Sequence, residues 1–272
     1  IAEIHSLLGD HEQAVENLEA ANKLRPEDSG TVLQLAEALL QVNEDQQAID
    51  RYNDFLKLVN GEVEKTVPEP HLVYNGIATA YHGMRKKYEA VDYYTLSLMF
   101  DRRQAVPLTQ RGWVFLEDNI ELAIRDFQTA KEYSPDNPHT LIGLASAYAK
   151  SGNRQAAIRE VNAARPHARA QAVDVGPMAF ALFHNAATVH GRLGEAVLRD
   201  PRLSDEIRAQ QFNESAKDAV ALLREALEIA KPNAAVLRVM RKEMETDAAL
   251  KYIRGSVAYR TFSEELSGGA KK

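Results

Sequence analysis

Six residues separate His184 from His190, and the stretch around them reads as one helix. Six helical steps turn through about 600°, so the two imidazoles face different sides and cannot close on one metal ion. His190 falls on a core-facing position and reads as a structural histidine. Glu243 and Glu245 are the nearest thing to a paired-carboxylate acid and base. Two residues apart on a predicted helix, they read as solvated. The chain has no His-Glu-x-x-His, no phosphate loop, no dinucleotide Gly-rich loop, no EF-hand pattern and no Gly-x-Ser-x-Gly. It also has no cysteine, which excludes disulfides and thiolate metal sites without naming a compartment. We therefore expect no catalytic residues, no metal and no cofactor; a cytoplasmic location is the default expectation.

Cations offer a second kind of chemistry. Lys150, Arg154, Arg159, Arg165 and Arg169 make one local run, and Arg238, Arg241 and Lys242 another. The sequence pI is about 5.8, and no aromatic residues alternate with these cations to stack bases, so nucleic acid is not expected. No apolar run approaches the roughly 18 residues that span a bilayer, and membrane association is not expected either. Charge is nonetheless uneven. Residues 1–70 hold 15 acidic against 5 basic side chains, a balance of −10, while the whole 272-residue chain carries −6. Such an imbalance fits solvated faces, a surface that selects charged partners, or self-association of acidic pole against basic end.

What remains is recognition, and the elements that would present it are helices. Ala, Leu, Glu, Arg and Gln fill most of the length, with only 14 Gly and 10 Pro. A trio recurs: an alanine, a large residue four later and a small one three after that. It reads Ala14, Leu18, Ala21; then Ala48, Tyr52, Phe55; then Ala90, Tyr94, Ser97. It continues as Ala123, Phe127, Ala130; Ala157, Val161, Ala164; and Ala219, Leu223, Ala226. Steps of four and three set each trio on one helix face. The leading alanines lie 34, 42, 33, 34 and 62 residues apart. About twelve residues before most of them comes another small residue (Ala2, Ala36, Ala78, Gly112, Ala145), followed three later by His5, Leu39, Tyr81, Phe115 or Tyr148. Small residues let paired helices approach, large ones fill the gap to the next pair, and stacking makes the core continuous.

This pattern resembles the tetratricopeptide repeat. The resemblance implies an all-α, right-handed α-solenoid of about six helical hairpins. They span 1–26 (partial), 29–60, 71–102, 106–135, 138–169 and 178–232, with C-terminal capping helices over 233–266 and a disordered tail at 267–272. Val63–Pro70, with its two prolines, reads as an extended surface loop. About 20 extra residues in the last copy predict a long hairpin that turns at Pro201, restarts at Ser204 and projects beyond its neighbours. The chain opens in mid-pattern at Ile1 and so reads as part of something longer. Its C-terminal end is similar to those of large bacterial repeat proteins, some with an upstream Ser/Thr kinase domain; no kinase residue lies in this chain.

The same resemblance implies a concave groove lined by the first helix of each hairpin. It would gather Glu37, Asn75, Thr79, His82, Gln110, Trp113, Ser146, Lys150, His184, Asn185 and Arg192, with Gly76, Gly83, Gly143 and Ala149 leaving room for a backbone. Amide side chains can pair with both sides of a peptide bond. A protein or peptide is thus the expected partner, and Trp113, the single tryptophan, is either an interface anchor or a packing residue. Some tetratricopeptide proteins clamp a carboxylate terminus with Lys, Asn and Arg on three repeats. The matching positions here, among them Asn75, Thr79, Gln110, His139 and Gly143, lack that charge set.

Overall fold

Within three of the helical hairpins among the described residues, the turn closes on a residue in the left-handed region: Asn43 (φ 61°), Arg85 (59°) and Gly152 (82°). In each, the next N–H reaches back to a carbonyl five residues earlier: Glu44 to Leu39 (3.0 Å), Lys86 to Tyr81 (2.9 Å) and Asn153 to Tyr148 (2.8 Å). That bond satisfies an orphan carbonyl at the helix end and reverses the chain sharply. The hairpins so closed are α2 (Ser29–Gln41) with α3 (Asp45–Leu58), α5 (Pro70–Gly83) with α6 (Lys87–Phe100), and α9 (Pro138–Lys150) with α10 (Arg154–Val175). Asparagine begins several helices: Asn137 Oδ1 accepts from His139 and Thr140 N–H, and Asn153 Oδ1 from Ala156 N–H.

The computed structural model describes residues 10–67 and 69–268, so Ala2, His5 and the tail from 269 on lie outside the described residues. The chain divides into two compact units, one ending at Asp118 and the other beginning at Asn119. In the first, α1 (Asp10–Leu24) precedes the first two hairpins, α4 (Val63–Thr66) joins them, and α7 (Ala105–Asp118) follows. Ala36, Ala48, Ala78, Ala90 and Tyr94 are fully buried, with Tyr52 and Phe55 nearly so. Buried apolar side chains of this size each contribute about 1.5–3 kcal/mol. The expected extended loop at 63–70 is corrected here. Val63 is fully buried and draws its segment into a helical turn, while Pro70 opens α5, where its missing N–H costs nothing.

The second unit holds α8 (Ile120–Tyr133), α9, α10, a 3₁₀ turn (Gly176–Ala179), α11 (Phe180–Arg199) and α12 (Asp205–Ala230). Then come α13 (Ala234–Thr246), a 3₁₀ turn (Ala248–Leu250), α14 (Lys251–Arg254) and α15 (Val257–Gly268). α10 outruns the expected end of its copy and contains Pro166. Its last turns are held by buried Ala168 and by Arg165 and Arg169, which both grip Glu225 on α12. α11 and α12 form the long hairpin: Ser204 Oγ accepts from Ile207 N–H, and Asp205 and Glu206 sit in the first turn, where the helix dipole favours anions.

The segment expected as a cap is built as a broken hairpin. Its first limb, α13, ends at Asp247, and the chain continues through Ala248–Leu250 and α14 against α11. A methyl group on Gly191 would overlap the Ala249 carbonyl, Gly194 faces Ile253 and Phe212, and Arg199 donates to Tyr252 Oη (3.0 Å). Its second limb, α15, returns along α12, where the Arg224 guanidinium lies 5.0 Å from the Phe262 ring centre.

Candidate partner-binding site

In the first unit, the helices expected to line the groove are α2, α5 and α7. Glu37 is exposed on α2, and partial desolvation pushes its carboxyl pKa upward. Asn75, Thr79 and His82 on α5, with Gln110 and Trp113 on α7, are all half-buried. Thr79 Oγ1 donates to the Asn75 carbonyl (2.8 Å) and lies 3.4 Å from Tyr94 Oη. The His82 ring meets Tyr94 edge-on at 6.5 Å, and burial lowers its pKa against the opposing charge of Glu117. Asn75 Oδ1 has no hydrogen-bond partner among the described residues. That oxygen is itself buried, and a buried acceptor left unpaired costs free energy that an N–H donor would recover if the side chain turned to meet it.

Beyond His82, an open recess of about 550 Å³ is lined by Gly83, Arg85, Lys87, Val114 and Glu117. Lys87 pairs there with Glu117 and, at 3.1 Å, with Asp118. The glycines expected to open the groove do something else. A methyl on Gly76 would overlap the Tyr52 hydroxyl, one on Gly83 the Asp45 carboxylate, and one on Gly143 the Phe127 ring. They let neighbouring helices touch, and Gly83 is in addition exposed at the edge of that recess.

In the second unit the expected groove set divides. Lys150, Asn185 and Arg192 are half-buried, but Ser146 and His184 are only 5% and 4% exposed. Ser146 turns its hydroxyl to the Ile142 carbonyl (2.9 Å). His184 points Nε2 at Asp247 Oδ2, 3.1 Å away, so the face of α11 it occupies is covered by the chain's own broken hairpin. Ser146 and His184 are therefore corrected from open groove residues to internal contacts. The expectation erred because repeat register gives the direction of a side chain but not what later sequence lays over it.

His190 is buried as expected for a structural histidine. Its Nδ1 lies 3.6 Å from Asp218 Oδ2, and burial, with the charges of Arg154 and Arg165, lowers its pKa to about 4. The basic run is largely tied down. Arg165 and Arg169 hold Glu225, Arg159 lies beside Glu160, and Lys131 reaches Glu160 at 2.6 Å. Among the described residues no group of three His, Asp or Glu could hold a metal ion, and no helix is long and apolar enough to cross a membrane. The contacts that sequence reasoning missed are those of Asp247 and Gly191. Asp247 was legible as a helix start after Thr246, but its partner lies 63 residues away and leaves no local signal.

Known proteins bear on the fold. The family model described as tetratricopeptide repeat matches residues 115–174, and one described as bacterial transcriptional activator domain matches residues 1–73. No curated protein matches by sequence. Among solved structures, a chain of the APC/C hetero-tetramer Cut9–Hcn1 is similar at a TM-score of 0.54 and 16% identity. That likeness covers 86% of this chain and 46% of the other, so this chain spans under half of that one. MamA residues 41 to the end from Desulfovibrio magneticus RS-1 is similar at 0.51 and 16%, covering 63% and 93%. Another MamA structure is similar at 0.50 and 18%, covering 63% and 96%. The family match places tetratricopeptide repeat sequence at residues 115–174, and the helical hairpins are in keeping with it.

Proposed function

We propose that this protein is an interaction scaffold that takes a peptide or protein segment on the first-helix faces of its hairpins. Asn75, Thr79, His82, Gln110 and Trp113 form the core of that surface in the first unit. The observation that carries the reading is Asn75, whose buried Oδ1 is unpaired on a helix that also carries half-buried Thr79 and His82. Peptide N–H groups are the chemistry that face lacks. The fold shared with a chain of the hetero-tetramer Cut9–Hcn1 supports the same reading. In the second unit, Lys150, Asn185 and Arg192 make a candidate surface of their own.

The test is titration of display-selected peptides while Trp113 emission is followed. A saturable shift in wild type, weakened at least tenfold by Asn75→Ala, supports the proposal. Saturable binding with Trp113 silent and Asn75→Ala unchanged overturns it.

A second reading is that the array is the regulatory or substrate-recruiting arm of a larger protein, such as one with a Ser/Thr kinase domain. The match of residues 1–73 to a transcriptional activator domain favours a regulatory arm. The reading frame upstream of Ile1 tests it: a catalytic or DNA-binding domain encoded there supports the reading, and its absence removes it.

A further inference from the structure

The face of α11 that repeat register assigns to a groove already has an occupant, and the occupant belongs to this chain. His184, Thr188 and Gly191 stand four and three residues apart and share one side of the helix. Against that side lies Asp247–Arg254: an extended residue, a 3₁₀ turn and the single helical turn α14. Asp247 brings its carboxylate to His184, and the charge of Arg192 favours it there. The Ala249 carbonyl rests on Gly191, so close that a methyl group would overlap it. Ile253 lies against Gly194, and the Tyr252 hydroxyl accepts from Arg199 (3.0 Å). A charged anchor, a backbone pressed onto a glycine and buried apolar side chains are the means by which a peptide segment is recognised.

Two features set this segment apart from a fixed core element. The limbs on either side, α13 and α15, pack on α12, where Arg224 bridges to Glu265 and to the Phe262 ring. The segment between them can therefore lift from α11 while the chain stays tethered. The fit is also incomplete: His184 is buried, yet its Nδ1 has no hydrogen-bond partner among the described residues. A buried ring nitrogen left unpaired costs free energy, so this contact is weaker than one that pairs both nitrogens. Leu250 and Ile253 are fully buried, and whatever replaces the segment has to bury equivalent apolar groups.

We propose that Asp247–Arg254 is a resident ligand of the α11 face, and that a partner segment of the same chemistry displaces it. That partner carries a carboxylate, an apolar residue three positions on, a tyrosine at five and an apolar residue at six, matching Asp247, Leu250, Tyr252 and Ile253. The inference rests on the reading that first-helix faces take peptide segments, and carries it to the second unit. It adds a control: the face stays closed until the hairpin yields, so partner binding and release of the segment are one equilibrium.

The probe is a fluorescent synthetic peptide copying residues 245–256, and its binding to the intact chain is followed by anisotropy. Asp247→Ala weakens the resident contact and leaves α11 unaltered, so this variant should take the peptide about tenfold more tightly than wild type does. Gly191→Ala also expels the resident, but its methyl meets the incoming backbone as well, so no gain is expected. A peptide with asparagine in place of its aspartate should lose the gain. Where Asp247→Ala fails to fold, Tyr252→Ala replaces it, since that half-buried side chain belongs to the segment and not to the face. In wild type, saturating peptide should speed hydrogen exchange at Ala248–Arg254. Unchanged exchange there with peptide bound overturns the proposal, as does equal affinity in wild type and Asp247→Ala. Equal gains in Asp247→Ala and Gly191→Ala overturn it too, because they mark bare apolar surface and not a shaped face. A gain that Asn75→Ala abolishes places the peptide in the first unit, which sinks this inference and leaves the first-unit surface standing. A gain untouched by Asn75→Ala supports it, even if display-selected peptides prove indifferent to Asn75 and the first-unit surface falls.

Discussion

His184 Nε2 on α11 lies 3.1 Å from Asp247 Oδ2, at the break in the C-terminal hairpin, and the same carboxylate accepts from Ala249 N–H at 2.8 Å. One side chain thus starts a 3₁₀ turn and pins it to the face of α11. The Asp247 carboxyl is held below its ordinary pKa, first by His184, against the opposing effect of burial.

Removing that carboxylate should loosen the last hairpin rather than the whole unit. For Asp247→Ala we expect a loss of roughly 2–4 kcal/mol, from one helix-start bond and one charged hydrogen bond. Hydrogen exchange over Ala234–Leu266 should speed up while α9 keeps its protection. Uniform protection throughout would show that Asp247 does not hold the hairpin. Because the folded pKa of Asp247 is depressed, its contribution is present above the ordinary carboxylate range and fades as pH falls through the folded value.

His190 sets a second acid limit. Its folded pKa of about 4 lies below the ordinary 6.5, so the unfolded chain binds a proton first as pH drops. Stability of the second unit should be level above pH 6.5 and fall between 6.5 and about 4, by up to roughly 3 kcal/mol. Denaturant melts at pH 7 and 4.5, in wild type and His190→Gln, measure this. Equal pH slopes in the two proteins would remove His190 from the account. Asp218, Arg154 and Arg165 are the charged groups that influence this ring most directly.

Backbone geometry gives a pair of substitutions of opposite sign. Arg85 occupies a left-handed turn position with φ 59°, where Gly152 sits in the equivalent turn. Arg85→Gly should stabilise by about 0.5–1 kcal/mol, and Gly152→Ala should destabilise by about 1 kcal/mol. Gly143→Ala acts differently: its methyl would overlap Phe127, at a cost of about 1–3 kcal/mol. Thermal melts of the three variants distinguish turn strain from overpacking.

The charge imbalance makes a prediction about assembly. If acidic and basic ends of different copies meet, sedimentation in about 20 mM salt should show larger species that dissociate near 300 mM, where screening is far stronger. Identical profiles at both salt concentrations would rule out charge-driven self-association.

Much of this protein is written locally. Alanines such as Ala48, Ala90 and Ala157 are fully buried, and the turn residues Asn43 and Gly152 sit where the chain reverses. Periodicity, small-residue spacing and cap chemistry act over three to five residues, so they can be read from the string. What lies over a face cannot. The sequence by itself determined helical hairpins, their order and the side of each helix that packs inward. Only the tertiary structure decided that Gly143 receives Phe127, that Val63 pulls its loop into a helical turn, and that Asp247 covers His184. Those outcomes depend on contacts between residues up to 63 apart, and such contacts follow from how finished helices stack, not from the period within any one of them.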